Sequence, residues 1–249
     1  MNTEANQHRV KMIVGCKRKP DISLAAFQQY WRNEHAPIVA RASRGRGMVR
    51  YVQNHVVSEA GAASEPAFDG VAEAWFDSPK AAGSLARSAD YAAVREDEAC
   101  FVDRSSLFAF LTEEVVSHSD EASHPEIKRI QFFKRRPDTK SEYFHFHWRE
   151  LHAPLVGALP GLMLYVRCRP CVPKASNGQQ HPYDGVEMIG YRDREALAAS
   201  ELSPAFIRIR EDRSLFLDEE RVASVLAHPV EIPLEAAPAA HSMQAKEIT

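Results

Sequence analysis

Two histidines sit in near copies of one segment, His35 in residues 30–39 (YWRNEHAPIV) and His152 in residues 147–156 (HWRELHAPLV). In each copy a Trp precedes the His by four residues and a Pro follows it by two. Imidazole titrates near neutrality and serves as acid or base without help from a cofactor. Proline disfavours helix in the residue before it, so each helix is expected to end near its histidine. A helix end would favour a protonated or donating ring through the dipole and the unsatisfied carbonyls. The same ring could instead only cap those carbonyls, adding about 0.3–2 kcal/mol of stability. A further histidine, His55, lies in YVQNHVV, and Glu73 lies in FDGVAEAWF. Alternation along a strand puts Asp69, Val71, Glu73 and Trp75 on one face of the latter. A carboxylate facing a closed interior is unfavourable unless paired, which makes Glu73 a candidate functional group; turned outward, it is ordinary surface. The chemistry implied is proton transfer. His35 and His55 form the acid/base pair, Glu73 or Asp69 orients one ring, and His152 is the second-half counterpart.

What positions these groups is a duplication. At a shift of 117 residues 10–39 align with 127–156, matching Lys11 with Lys128, Pro20 with Pro137, Phe27 with Phe144 and Trp31 with Trp148. At shifts of 114 and 115 Tyr51-Val52 meets Tyr165-Val166, Asp69-Gly70-Val71 meets Asp184-Gly185-Val186, and Glu96-Asp97 meets Glu211-Asp212. A long unit occurring twice is a duplicated domain, since solenoid repeats are shorter and more numerous. The halves are placed at 8–116 and 125–232, with a linker over 113–126 and a Pro/Ala-rich, disordered tail over 233–249.

Each half reads β-α-β-β-α-β. Val10, Met12, Val14 and Cys16 alternate as in a half-buried strand, and Leu24, Phe27 and Trp31 follow at helical spacing. Thr139 and Glu142 are spaced as a capping box, and Ser78-Pro79 opens a second helix. SEAGAASEPA (58–67) reads as a loop, and SLFAFL (106–111) as a fourth strand. Such a unit is ferredoxin-like, with both helices on one face of an antiparallel sheet. The expected fold class is therefore α+β, two such domains packed sheet to sheet as a barrel within one chain.

The bulk properties exclude several classes of function. The chain has 249 residues, 45% hydrophobic and 26% charged, with a formal charge of −3. That balance recommends neither nucleic acid nor an anionic membrane as partner. There is no apolar run of transmembrane length and no secretory signal, so a cytoplasmic location is expected. Cys16, Cys100, Cys168 and Cys171 are too few for a disulfide scaffold and read as thiols. Cys168 and Cys171 form a lone CxxC without a second ligand pair, so no metal is expected. No phosphate loop, dinucleotide fingerprint or nucleophile elbow occurs.

FQQYWRNEHAPIV, RYVQNHVV, FDGVAEAWFDS and EDEACFVD, with FHFHWRELHAPLVGALPGLMLYV in the second half, resemble the EthD family of the dimeric α+β barrel superfamily. The resemblance covers almost the whole chain as a tandem. It implies the barrel fold and a family associated with degradation of an ether. Related barrels include cofactor-free oxygenases, isomerases, cyclases, lyases and haem enzymes, so fold analogy sets only a prior on chemistry.

The halves differ. The first carries Arg41, Arg44, Arg46 and Arg50 after its motif, and has His55, Glu73 and Trp75 where the second has Arg169, Met188 and Gly190. The arginines are either a solvated surface or a collar attracting an acidic or phenolate substrate. The active pocket is therefore expected in the first half, with Tyr30, Trp31, Tyr51, Asp69, Trp75 and Arg50 as substrate contacts. Trp31 also reads as a core anchor. The expected activity is His acid/base chemistry on a hydrophobic, aromatic or polyketide-like carbonyl or phenolic compound, without organic cofactor, as isomerase, lyase/cyclase or oxygenase. A haem oxidoreductase and a non-catalytic accessory protein are the alternatives. Exposed helices and barrel edges are consistent with a homodimer.

Overall fold

The computed structural model describes residues 9–57, 65–119, 124–171 and 181–234. Most of the segment expected as a loop at 58–67, and the tail from 235, lie outside the described residues. The first half runs β1 (Val10–Arg18), α1 (Leu24–Tyr30), a π-helical turn (Trp31–His35), α2 (Ala36–Ser43), β2 (Met48–Val56), β3 (Gly70–Phe76), α3 (Pro79–Ala86), α4 (Asp90–Phe101) and β4 (Val102–Ser119). The second runs β5 (Ile127–Phe133), α5 (Ser141–His147), a π-helical turn (Trp148–His152), α6 (Ala153–Gly157), β6 (Leu164–Pro170), β7 (Gly185–Tyr191), α7 (Arg194–Glu201), α8 (Pro204–Arg213), a 3-10 turn (Glu219–Arg221) and β8 (Ala223–Ile232).

The eight strands close a barrel in the order β1-β3-β2-β8-β5-β7-β6-β4, every pairing antiparallel. The last strand of each half joins the halves: β4 pairs with β1 and β6, and β8 with β5 and β2. Two open sheets thus remove each other's edges. Alternation sorts each strand's side chains. Ile13, Val71, Phe110, Ile130, Phe132, Val186 and Val225 fill the interior, while Val10, Tyr51, Ala74 and Phe76 meet the helices outside.

β4 is longer than its apolar stretch at 106–111 suggests, so residues 113–119 of the expected linker are strand. Its outer end pairs with β6 through the backbone while Val115 and Val116 stay exposed. Hydrophobic periodicity reports burial, and this end buries little. The expected capping box at Thr139 does not form either. Lys140 precedes α5 without a side-chain cap, and the Thr139 hydroxyl donates to Asp138. Ser23 and Ser78 do cap their helices, accepting from Ala26 N–H and Ala81 N–H.

The helices do not end at His35 and His152. In each half the chain widens into one π turn, Ala36 N–H donating to Trp31 C=O and Ala153 N–H to Trp148 C=O, and then continues as helix. In a regular helix the ring of Pro37 would meet the carbonyl four residues back, and its missing N–H would leave a gap in the ladder. The wider turn relieves that conflict. It also turns the Trp inward over the sheet. A Cβ on Gly70 would lie 2.6 Å from Trp31 Cζ3, and one on Gly185 2.5 Å from Trp148 Cζ3. Trp-x-x-x-His-x-Pro and the distant Asp-Gly-Val therefore recur together because the indole needs the glycine. The aspartates pin the junction, Arg18 N–H donating to Asp69 and Arg135 N–H to Asp184.

Candidate active site

The His35 ring is buried between the helices and the sheet, packed on Phe101 with centroids 5.0 Å apart. Its Nδ1 lies 2.7 Å from Asp97 Oδ2 on α4, and the Tyr30 hydroxyl donates to Asp97 Oδ1 at 2.8 Å. A carboxylate only accepts, so Nδ1 carries the proton and Nε2 keeps its lone pair. Burial lowers the His35 pKa from its usual value, and Asp97 opposes this only in part. The ring is thus a neutral imidazole of fixed tautomer, not the protonated group that a helix C-terminus would favour. Tyr30 is pushed up to about 12, chiefly by its hydrogen bond to Asp97.

His35 lines an apolar cavity of about 100 Å³ between helices and sheet. Met12, Val14, Ala72, Ala74 and Leu107 line it from the sheet, with Val94 and Phe101 of α4 opposite. Trp31 and Tyr51 also line it, as do Tyr91 and Glu98 from α4. Burial raises the carboxyl pKa of Glu98 and pushes Tyr91 up to about 12. One wall therefore carries a neutral imidazole and a carboxyl biased towards its protonated form.

The second half repeats the dyad with bulkier side chains on the sheet beneath it. His152 Nδ1 lies 2.7 Å from Asp212 Oδ2, and His147, replacing Tyr30, takes the other carboxylate oxygen at 2.8 Å. Cys16, Ala72 and Ala74 correspond to Phe133, Glu187 and Ile189, all buried. Phe133 packs edge-on against Trp148, while Glu187 accepts from the Tyr165 hydroxyl at 3.0 Å and the Trp148 indole at 3.4 Å. His152 is fully buried, and its Nε2 has no hydrogen-bond partner.

The expected convergence of His35, His55 and Glu73 does not occur. His55 is on the helix-facing side of β2 but beyond the cavity, stacked on Trp31 at 5.1 Å and bonded to Gln53 at 3.1 Å. Burial, with Arg32 and His228 nearby, lowers its pKa to about 4. Glu73 points into the barrel, across the sheet from His35. There it accepts from Lys11 at 2.7 Å, Lys128 at 2.8 Å and Asn54 at 3.0 Å, and the lysines hold its carboxyl well below the usual range despite burial. Trp75 and Arg50 are also away from the His35 cavity. The indole donates to Glu114 and lies beneath both Lys11 and Arg50, and Arg50 pairs with Glu231. Asp69 binds Arg18 at 2.7 Å as part of the strand junction. Of the expected contacts, Trp31 and Tyr51 line the cavity, and Tyr30 acts on it through Asp97.

Asp97 and Glu98 were not singled out from the sequence, although a signal existed. Glu96-Asp97 recurs as Glu211-Asp212, and Val94, Glu98 and Phe101 share one helical stripe. Among the described residues no group of three or more His, Cys, Asp or Glu side chains is placed to hold a metal ion. Also among them, no helix is long and apolar enough to cross a membrane.

Comparison with known proteins agrees with this architecture. An anthrone oxidase-like protein superposes with a TM-score of 0.65 at 11% identity, covering 94% of this chain and 98% of the other. A protein from Lactobacillus acidophilus NCFM assigned as a monooxygenase gives 0.55 at 10% identity, over 91% and 97%. The chlorite dismutase-like protein TA0507 gives 0.52 at 12%, over 90% and 95%. At these identities the likeness is one of fold, that of the dimeric α+β barrels. No curated protein sequence matches the chain. The EthD domain matches twice, over residues 19–105 and 136–220. With the repeated Trp-His-Pro turn and the closed barrel, this makes the chain a tandem member of the EthD family.

Proposed function

We propose that the protein is an enzyme that moves a proton on a small apolar or aromatic carbonyl or phenolic compound held in the first-half cavity. One observation carries this reading. Among the described residues both halves keep the His–Asp dyad, and the first-half imidazole borders a cavity over Ala72 and Ala74, where the second half has the larger, buried Glu187 and Ile189. A dyad needed only to clamp helices would require no such space.

His35 Nε2 is the base. It takes the proton from a carbon next to the carbonyl, the C–H electron pair moves to form the enolate, and the ring becomes an imidazolium held by Asp97. Glu98 is the acid that protonates the carbonyl oxygen, since environments that push two titratable groups apart separate their roles. Return of the proton to a different carbon gives isomerisation. Capture of the enolate by an internal electrophile gives cyclisation, and its capture by dioxygen as external oxidant gives oxygenation. The apolar walls exclude water from the enolate. His152, enclosed in its half, has a structural role.

Haem does not fit this site. The cavity is about 100 Å³, whereas pockets for larger ligands run to roughly 300–1,000 Å³. The reaction is accordingly assigned to side chains alone.

The test is deuterium exchange in D₂O, followed by proton NMR, on cyclohexanone- and acetophenone-sized ketones. The wild type should give saturable exchange next to the carbonyl. His35→Ala should lose at least about 100-fold in rate with binding intact, and Asp97→Asn should lower kcat more than it raises KM. Exchange that survives His35→Ala would overturn the assignment. Ligand binding with no exchange in the wild type would make the protein a carrier instead.

A further inference from the structure

The interior of the barrel holds a second polar site, across the sheet from His35. Lys11 and Lys128 occupy equivalent positions on β1 and β5, and both ammonium groups are almost fully buried. Lys11 has two carboxylates from its own half, Glu73 on β3 and Glu114 on β4. Two-fold symmetry predicts the same for Lys128 from β7 and β8. The equivalent positions there hold Met188 and Pro229. Lys128 therefore reaches across the barrel to Glu73, a carboxylate already shared with Lys11 and Asn54. Among the described residues, one of its three donors is used, by the contact at 2.8 Å.

This shortfall lies on the wall of a cavity of about 610 Å³ that takes in Lys128, Met188 and Pro229. Leu164, Val166 and Pro125 give it apolar walls, and its charged groups are the carboxylates Glu73, Glu114 and Glu231 with the cations Lys11, Lys128 and Arg50. A buried cation with unspent donors, beside apolar walls and space, is complementary to an anion with an apolar body. We propose that the barrel cavity binds a small aromatic or branched carboxylic acid. Its carboxylate sits on Lys128 where symmetry calls for a second acidic side chain, and its body lies against Met188, Val166 and Leu164. Lys11 moderates repulsion from Glu73. The site is separate from the proposed proton-transfer cavity and does not depend on it.

The probe is benzoate, with benzamide as its neutral isostere, followed by calorimetry and by the fluorescence of Trp75, which lines the same cavity. Saturable binding of benzoate but not benzamide is expected. Lys128→Met should weaken it at least about tenfold by removing a charge-assisted hydrogen bond. Met188→Glu should abolish it by a different route, restoring the missing carboxylate while leaving the fold paired and stable. Ala74→Ile, in the other cavity, should leave benzoate affinity unchanged. Equal affinity for benzamide, or benzoate binding indifferent to both Lys128→Met and Met188→Glu, overturns the proposal. Loss of binding in Ala74→Ile alone would mean that benzoate occupies the His35 cavity instead.

Discussion

Ala74→Ile gives the first-half cavity the residue its twin already has at Ile189. The substitution adds three carbons to a wall beside an opening of about 100 Å³. At roughly 0.8 kcal/mol per buried methylene, they would contribute about 2.4 kcal/mol if they packed without strain. Cavity energetics of roughly 24 cal/mol per Å³ applied to that volume give the same ceiling. Imperfect fit subtracts from this, and a net gain of about 1–2 kcal/mol is expected. For a chain of this size that raises Tm by roughly 2–8 °C, since each kcal/mol is worth about 2–4 °C. The same variant should lose exchange activity and ketone binding in the first-half cavity, a gain of stability at the expense of function. Denaturant unfolding and the deuterium assay on one preparation read both effects. A variant that is destabilised by more than 1 kcal/mol and still turns over ketone would refute the reasoning, because the space would then be neither empty nor the site. The reciprocal Ile189→Ala should cost about 2–5 kcal/mol by opening a void in the second half.

Two further outcomes follow from the packing and the charges. Gly70→Ala sets a Cβ 2.6 Å from the Trp31 ring, so unfolding should show a loss of about 1–3 kcal/mol, a cost that should largely vanish when the same substitution is made in a Trp31→Leu background; an unchanged midpoint would mean that the indole yields freely. His55, with its pKa lowered to about 4, makes the unfolded chain bind more protons between that value and about 6.5. Its contribution to stability is therefore complete above that window and is lost as pH falls through it, on the order of 3 kcal/mol. His55→Gln should flatten that part of the pH profile measured by urea unfolding, and a parallel profile would show that another group titrates.

The sequence by itself determined the duplication, the β-α-β-β-α-β order of each half and the closed sheet. These rest on local periodicity and on the rule that an apolar sheet face must find a partner. It also determined that Asp69, Val71, Glu73 and Trp75 share a face, because alternation is a property of the strand alone. It did not determine that Glu73 and His35 lie on opposite sides of that strand. A helix's orientation over a sheet is set by packing, here by Trp31 seating on Gly70. The π turn was hidden because proline's local preference pointed to a helix end. The outer part of β4 was hidden because its register depends on β6, far along the chain. Only the tertiary structure decided which histidine borders open space. That volume is what Cys16, Ala72 and Ala74 together leave unfilled, and residues from separate strands sum their volumes only when the fold brings them side by side.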